Sequence, residues 1–129
     1  MRIAIFVVFA FISVLLTPAQ AQQPPGYGTI TVDELAQMLD HKDFTLVNVH
    51  TPYEGELPQT DAFIQFDNIA ANLEKLPAAK DAKIVLYCRS GRMSEIAGAT
   101  LAGLGYTNVF HAEGGFVAWS KAGHELLQR

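Results

Sequence analysis

The sequence predicts a three-layer α/β domain, a mainly parallel sheet of about five strands flanked by helices. Three observations carry this. Short apolar, β-branched runs alternate with helix-like segments from Thr29 onward. One of those runs, Ile84 to Tyr87, is unbroken, the pattern of a strand buried on both faces of a parallel sheet. Helix punctuation falls between the runs, with a capping box at Thr31-Val32-Asp33-Glu34 and a glycine stop at Gly105.

The chain opens with Met1 and Arg2, an apolar stretch from Ile3 to Leu16, and the small-x-small triplet Ala19-Gln20-Ala21. This is the pattern of a secretory signal peptide cleaved after Ala21. The apolar run falls short of the roughly 20 residues that span a bilayer. No cysteine follows it to take a lipid anchor at this junction. The expected plan is a signal peptide at 1–21, a flexible lead-in at 22–28 and one domain at 29–129. The mature chain is expected to be exported, most simply to a bacterial periplasm, with no stable membrane anchor after cleavage.

Cleavage leaves 108 residues, enough for a single core. Losing Arg2 leaves eight basic against thirteen acidic residues, a net charge of −5. Nucleic-acid recognition needs a basic face, so that class of partner is not expected. The chain has one cysteine, so no internal disulfide staples it. An unused thiol in an oxidising compartment is a liability, which favours a functional role; a disulfide-linked homodimer is the competing explanation.

In order, Thr29-Ile30 reads as a short first strand and the capping box starts a helix running to about Asp40. Leu35, Met38 and Leu39 give that helix its apolar face, and His41 and Lys42 suit its carboxyl end. Phe44 to Val49 is the second strand and Ala62 to Phe66 the third. Asp67 or Asn68 is expected to cap a helix ending near Leu76-Pro77. Ile84 to Tyr87 is the central strand, about Ser94 to Leu104 the next helix, Asn108 to His111 the last strand and Phe116 to Ala122 the last helix. Phe116 and Trp119 read as core anchors, and His111 and His124 as structural or exposed. Glu54, Glu56 and Asp61 lie in a Pro- and Gly-containing loop and read as solvated carboxylates, so neither metal nor cofactor is expected.

The chemistry concentrates at Cys88-Arg89-Ser90-Gly91-Arg92-Met93-Ser94. A parallel sheet presents ligand sites at the carboxyl ends of its strands, and Cys88 follows such a strand and precedes a helix amino terminus. The amides of residues 89 to 94 are expected to converge there as a nest. With Arg89 and Arg92 they favour an anion or a thiolate, the nucleophilic form of cysteine. A buried structural cysteine is the alternative, and position at a strand end before a basic turn argues against it.

At these residues the chain resembles the rhodanese family of sulfurtransferases, whose active-site loop starts at a cysteine, runs six residues and enters a helix. Glu113-Gly114-Gly115-Phe116-Val117-Ala118-Trp119, with Gly123 beyond, resembles the family's closing pattern. Leu46-Val47-Asn48-Val49-His50 with Glu54 is a third, imperfect match: the family usually has Asp and Arg where this chain has Asn48 and His50, residues that there organise the following loop. That loop also departs from the family pattern, which bears on substrate choice. His50 reads as a hydrogen-bonded strand-end residue, with a pocket-lining base as the lesser reading. The resemblance implies the rhodanese fold and sulfur transfer through a Cys88 persulfide. Arg89, Ser90, Gly91, Arg92, Met93 and Ser94 would bind the substrate. The implied partners are a small anionic sulfur donor, such as thiosulfate or a persulfide, and a thiol or cyanide acceptor. The alternative is a non-catalytic module that binds anions or thiols. Phosphatase chemistry ranks last, because it needs a Cys-x5-Arg signature and Ser94 stands in place of that arginine.

Overall fold

The computed structural model describes residues 26–129. The expected signal peptide and the first part of the lead-in lie outside the described residues. Five strands form one sheet: β1 (Gly28–Ile30), β2 (Thr45–Asn48), β3 (Ala62–Phe63), β4 (Ile84–Tyr87) and β5 (Val109–Ala112). Their order is β1-β5-β4-β2-β3, and every adjacent pair is parallel. Three α-helices cover it: α1 (Val32–Leu39), α2 (Arg92–Gly103) and α3 (Gly115–Lys121).

β4 is central because its residues are apolar at every position, and alternation sends them into two cores. Val85 and Tyr87 join Leu35, Leu39, Phe116 and Trp119 beneath α1 and α3. Ile84 and Leu86 join Ala97 and Leu101 of α2 and Ile69 on the opposite face. Burying one such side chain stabilises the fold by about 1.5–3 kcal/mol. An exposed pair such as Lys83 with Asp43, 3.8 Å apart, contributes roughly 0–1 kcal/mol. Apolar layering, not surface charge, sets the architecture.

The helix termini follow from particular residues. The Thr31 hydroxyl accepts the Glu34 amide hydrogen bond at 3.1 Å, capping α1 as the sequence predicts. At the end of α2, Gly105 takes φ +93°. Tyr106 N–H then donates to the Leu101 carbonyl and Gly105 N–H to the Ala102 carbonyl, the pairing of a Schellman stop.

Two expected elements differ. The helix expected from Asp67 or Asn68 to Leu76 is two short 3-10 segments, Phe66–Ala71 and Leu73–Lys75. The breaks fall at Asn68 (φ −125°, ψ 15°) and Asn72 (φ −128°, ψ 30°). Asparagine bonds local backbone and so competes with a helical ladder, and here Asn72 Nδ2 donates to the Asn68 carbonyl at 2.8 Å. The third strand stops at Phe63 instead of Phe66, because the chain turns into the first 3-10 segment. α2 begins two residues before the expected Ser94, which brings its first turn onto the cysteine loop.

Candidate active site

Cys88 follows the last residue of β4 and is 1 % exposed. Three elements fix the loop after it. On one side Val49 N–H donates to the Tyr87 carbonyl at 2.9 Å, tying β2 to the strand end. On the other, Gly91 takes φ +116°, a conformation that glycine adopts without penalty. That turn points the Gly91 amide at the sulfur, N–H to Sγ at 3.0 Å. From beneath, α3 supplies its first amides to the loop's carbonyls, Phe116 N to Cys88 O at 2.9 Å and Val117 N to Arg89 O at 3.0 Å.

That last contact explains the paired glycines. A Cβ on Gly115 would sit 2.1 Å from the Cys88 carbonyl oxygen and 2.5 Å from that of Arg89, a separation no real side chain tolerates. Only glycine lets α3 approach closely enough to hold both carbonyls.

The six residues expected to surround the sulfur divide. Gly91 is buried and bonds to Sγ. Ser94 is fully buried, with Oγ 3.6 Å from Sγ, 2.9 Å from the Gly91 carbonyl it donates to, and 3.0 Å from His111 Nδ1. Met93 is half-buried and packs against the α2-side core. Ser90 and Arg92 are exposed, Arg92 opening α2, whose first-turn amides have no intrahelical acceptor. Arg89 is exposed, with Nη1 3.6 Å from the Glu54 carboxylate. Glu54 also holds His50 Nε2 at 3.0 Å.

The β2 residues that depart from the family pattern still organise the next loop. Asn48 is buried, donates from Nδ2 to the Gly55 carbonyl at 3.0 Å and accepts from His50 N–H at 2.9 Å. Burial pushes the Tyr87 phenol up to about 12, so it stays protonated. It accepts from Leu57 N–H at 3.1 Å and shares a hydrogen bond with Thr60 Oγ1 at 2.8 Å. The acidic loop residues are likewise engaged. Glu56 meets Arg129 and the Tyr53 hydroxyl, and Asp61 meets Lys42 and the Leu46 amide. A cleft of about 390 Å³ opens against this loop, lined by residues including His50, Tyr53, Phe63 and Arg129, and residues 88–94 take no part in its lining.

His111 is the site residue that sequence reading missed. It is 2 % exposed on β5, and burial lowers its affinity for a proton, opposed by Glu95 and Glu113. The available signal was strand register: β5 pairs with β4, and His111 lies opposite Leu86, two residues before Cys88.

This arrangement is a cysteine sulfur held at a strand end by a backbone amide and a hydroxyl, beside a helix amino terminus. A family model described as the rhodanese-like domain matches residues 31–122. The chain belongs to the rhodanese-like family. Its fold has the family's parallel five-stranded sheet flanked by helices. A sulfurtransferase of Allochromatium vinosum is 37% identical over 103 residues, covering 76% of this chain and 92% of that protein. A tRNA uridine(34) hydroxylase of Erwinia tasmaniensis is 32% identical over 98 residues, covering 71% of this chain. The chain spans only 28% of that hydroxylase's length. Among solved structures, a rhodanese-like domain protein of Staphylococcus aureus superposes with a TM-score of 0.65 at 30% identity, over 78% of this chain and 96% of that one. A rhodanese-related protein of Thermoplasma volcanium gives 0.68 at 24% identity, over 80% and 100%, a likeness of fold alone.

Proposed function

We propose that this rhodanese-like domain is a sulfurtransferase that moves sulfane sulfur through a persulfide on Cys88, and that it acts outside the cytoplasm after loss of its leader. The observation that carries the reading is the Gly91 amide 3.0 Å from Cys88 Sγ, in a loop that α3 fixes from below. A preorganised donor aimed at a sulfur stabilises negative charge there without reorganisation at the moment of reaction.

In the first half-reaction the Cys88 thiolate attacks the outer sulfur of thiosulfate. The new S–S bond forms as the sulfur–sulfur bond of the donor breaks, and sulfite leaves with the electron pair. In the second, cyanide or a cellular thiolate attacks the terminal persulfide sulfur and Cys88 departs as thiolate. No cofactor and no net redox partner is needed. The exposed Arg92 and the unpaired first-turn amides of α2 would meet the donor's anionic oxygens. Arg89, drawn toward Glu54, contributes less. The near-complete burial of Cys88 favours a small donor over a folded one.

The test is thiocyanate formation from thiosulfate and cyanide. Wild-type protein should turn over, and Cys88→Ser, whose hydroxyl cannot carry a persulfide, should fall to background while keeping its circular dichroism spectrum. Wild-type turnover no greater than that of Cys88→Ser would remove the reading.

A further inference from the structure

Behind Cys88 lies a buried contact that the sulfur-transfer scheme above does not use. Ser94 Oγ is 3.6 Å from Cys88 Sγ, 2.9 Å from the Gly91 carbonyl and 3.0 Å from His111 Nδ1, and all three side chains are nearly inaccessible to water. Proton counting decides how these contacts are made. Ser94 has one hydroxyl hydrogen. The Gly91 carbonyl can only accept, and so can Cys88 once it is a thiolate or a persulfide anion. If Ser94 spent its hydrogen on His111, its oxygen would face the Gly91 carbonyl oxygen at 2.9 Å with no hydrogen between them and the sulfur anion would lose its second donor, although the Glu95 amide still reaches that carbonyl at 3.0 Å and the Gly91 amide still reaches the sulfur.

The geometry points to His111 as a positioning residue: its Nδ1 carries the hydrogen and donates to Ser94 Oγ, leaving the serine hydrogen to alternate between the Gly91 carbonyl and the Cys88 sulfur. With the thiol neutral, Cys88 S–H donates to Oγ and Ser94 donates to Gly91. When the sulfur loses its proton, the serine hydrogen swings to Sγ and joins the Gly91 amide as a second donor. Nothing is oxidised, and no proton leaves His111. The carboxylate on the far side of the ring pulls a proton toward Nε2, so the tautomer is set by the shorter, direct contact at Nδ1. Glu95 Oε1 on α2 stands 3.8 Å from Nε2, beyond a hydrogen bond. The Tyr27 ring meets the imidazole edge-on at 5.6 Å and Glu113 lies two residues along the chain. Ser94 is the only partner within hydrogen-bond reach of the ring among the described residues.

The inference rests on the sulfur-transfer reading for the persulfide state alone, because the thiolate needs the same donor whatever the protein does with it. Two measurements test it without relying on turnover. The first is the rate of Cys88 alkylation by iodoacetamide at pH 6, in a double-mutant cycle. Ser94→Ala should lower the rate by about tenfold, the effect of losing one hydrogen bond to a charged acceptor. His111→Val should lower it similarly, with no further loss in the double variant. His111→Asn, whose amide places an N–H near Nδ1, should recover to within about threefold of wild type. A structural role alone would give additive losses and no recovery, and that result overturns the inference. The second measurement needs no variant: in wild-type protein at pH 8, the ring ¹⁵N shifts of His111 should report the Nδ1–H tautomer, and a dominant Nε2–H tautomer overturns the inference directly. Persulfide formation from thiosulfate, followed by mass on the same samples, reports separately on the sulfur-transfer reading.

Discussion

At the scale of single residues, the site shows how identity and placement divide the work around one sulfur. Gly91 offers its backbone, Ser94 its hydroxyl, and the two arginines of the loop take different roads. Arg89 leans on Glu54, which His50 already engages, while Arg92 stands at the helix entrance without that competition. A charge-assisted hydrogen bond to a small anion is worth about 1.5–3 kcal/mol, so removing the one that meets the donor should weaken donor use by roughly one to two orders of magnitude. Arg92→Ala should therefore raise the KM for thiosulfate at least tenfold with little change in kcat, and Arg89→Ala should raise it by less. Steady-state kinetics decide between them, and equal KM values for both variants and wild type would assign donor recognition to the backbone. The cysteine, the basic turn and the glycine were legible in the sequence because they are contiguous. The partners of Ser94 and Glu54 were not, since His111 and Arg89 reach them through sheet register and side-chain direction, which a linear reading does not carry.

At the scale of elements, the contact between α3 and the cysteine loop governs the site. In the sequence Gly114-Gly115 stands only as part of the closing pattern; the structure gives Gly115 a task of its own, since α3 lies against the carbonyls of Cys88 and Arg89. Gly115 also has φ +54°, which most side chains resist. Gly115→Ala must therefore move either the helix or the loop. Its expected effect is a loss of sulfur transfer well beyond its loss of stability, because the displaced carbonyls carry the Gly91 amide with them. Thermal melting and thiocyanate formation measured side by side check this, and unchanged activity would mean that the loop holds its shape without α3. The central strand and the capping box of α1 were readable from pattern alone, as local chemistry fixes them. The segment at Asp67 to Leu76 reads as one helix in sequence, but Asn68 leaves helical geometry instead of capping a start, and the Asn72 side chain bonds the Asn68 carbonyl in competition with the backbone ladder.

At the scale of the whole molecule, the three layers let one buried imidazole couple acidity to stability. His111 is shut from water, and burial makes it harder to protonate in the fold than in the unfolded chain, where the value is about 6.5. The unfolded chain thus binds the extra proton first. The stability His111 contributes is fully present above about pH 6.5 and is lost as the pH falls through that value toward the lower folded one. Denaturant midpoints at pH 7.5 and 5.5 should show a decline in wild type that is smaller in His111→Asn, which cannot titrate; equal slopes would place the acid sensitivity elsewhere. The fold class was legible because alternation of strand and helix is a property of the whole chain, and the all-parallel pairing agrees with it. The specificity of the loop from His50 to Asp61 was not, for its shape depends on Asn48 just before it and on Tyr87 and Arg129 meeting it from two distant points in sequence.

The central claim is that Cys88 carries sulfur. The intact mass of purified wild-type protein after brief exposure to thiosulfate and removal of excess donor tests it most directly. The account predicts a gain of one sulfur atom, reversed by cyanide and absent in Cys88→Ser; an unchanged mass in wild-type protein whose Cys88 still alkylates would contradict it.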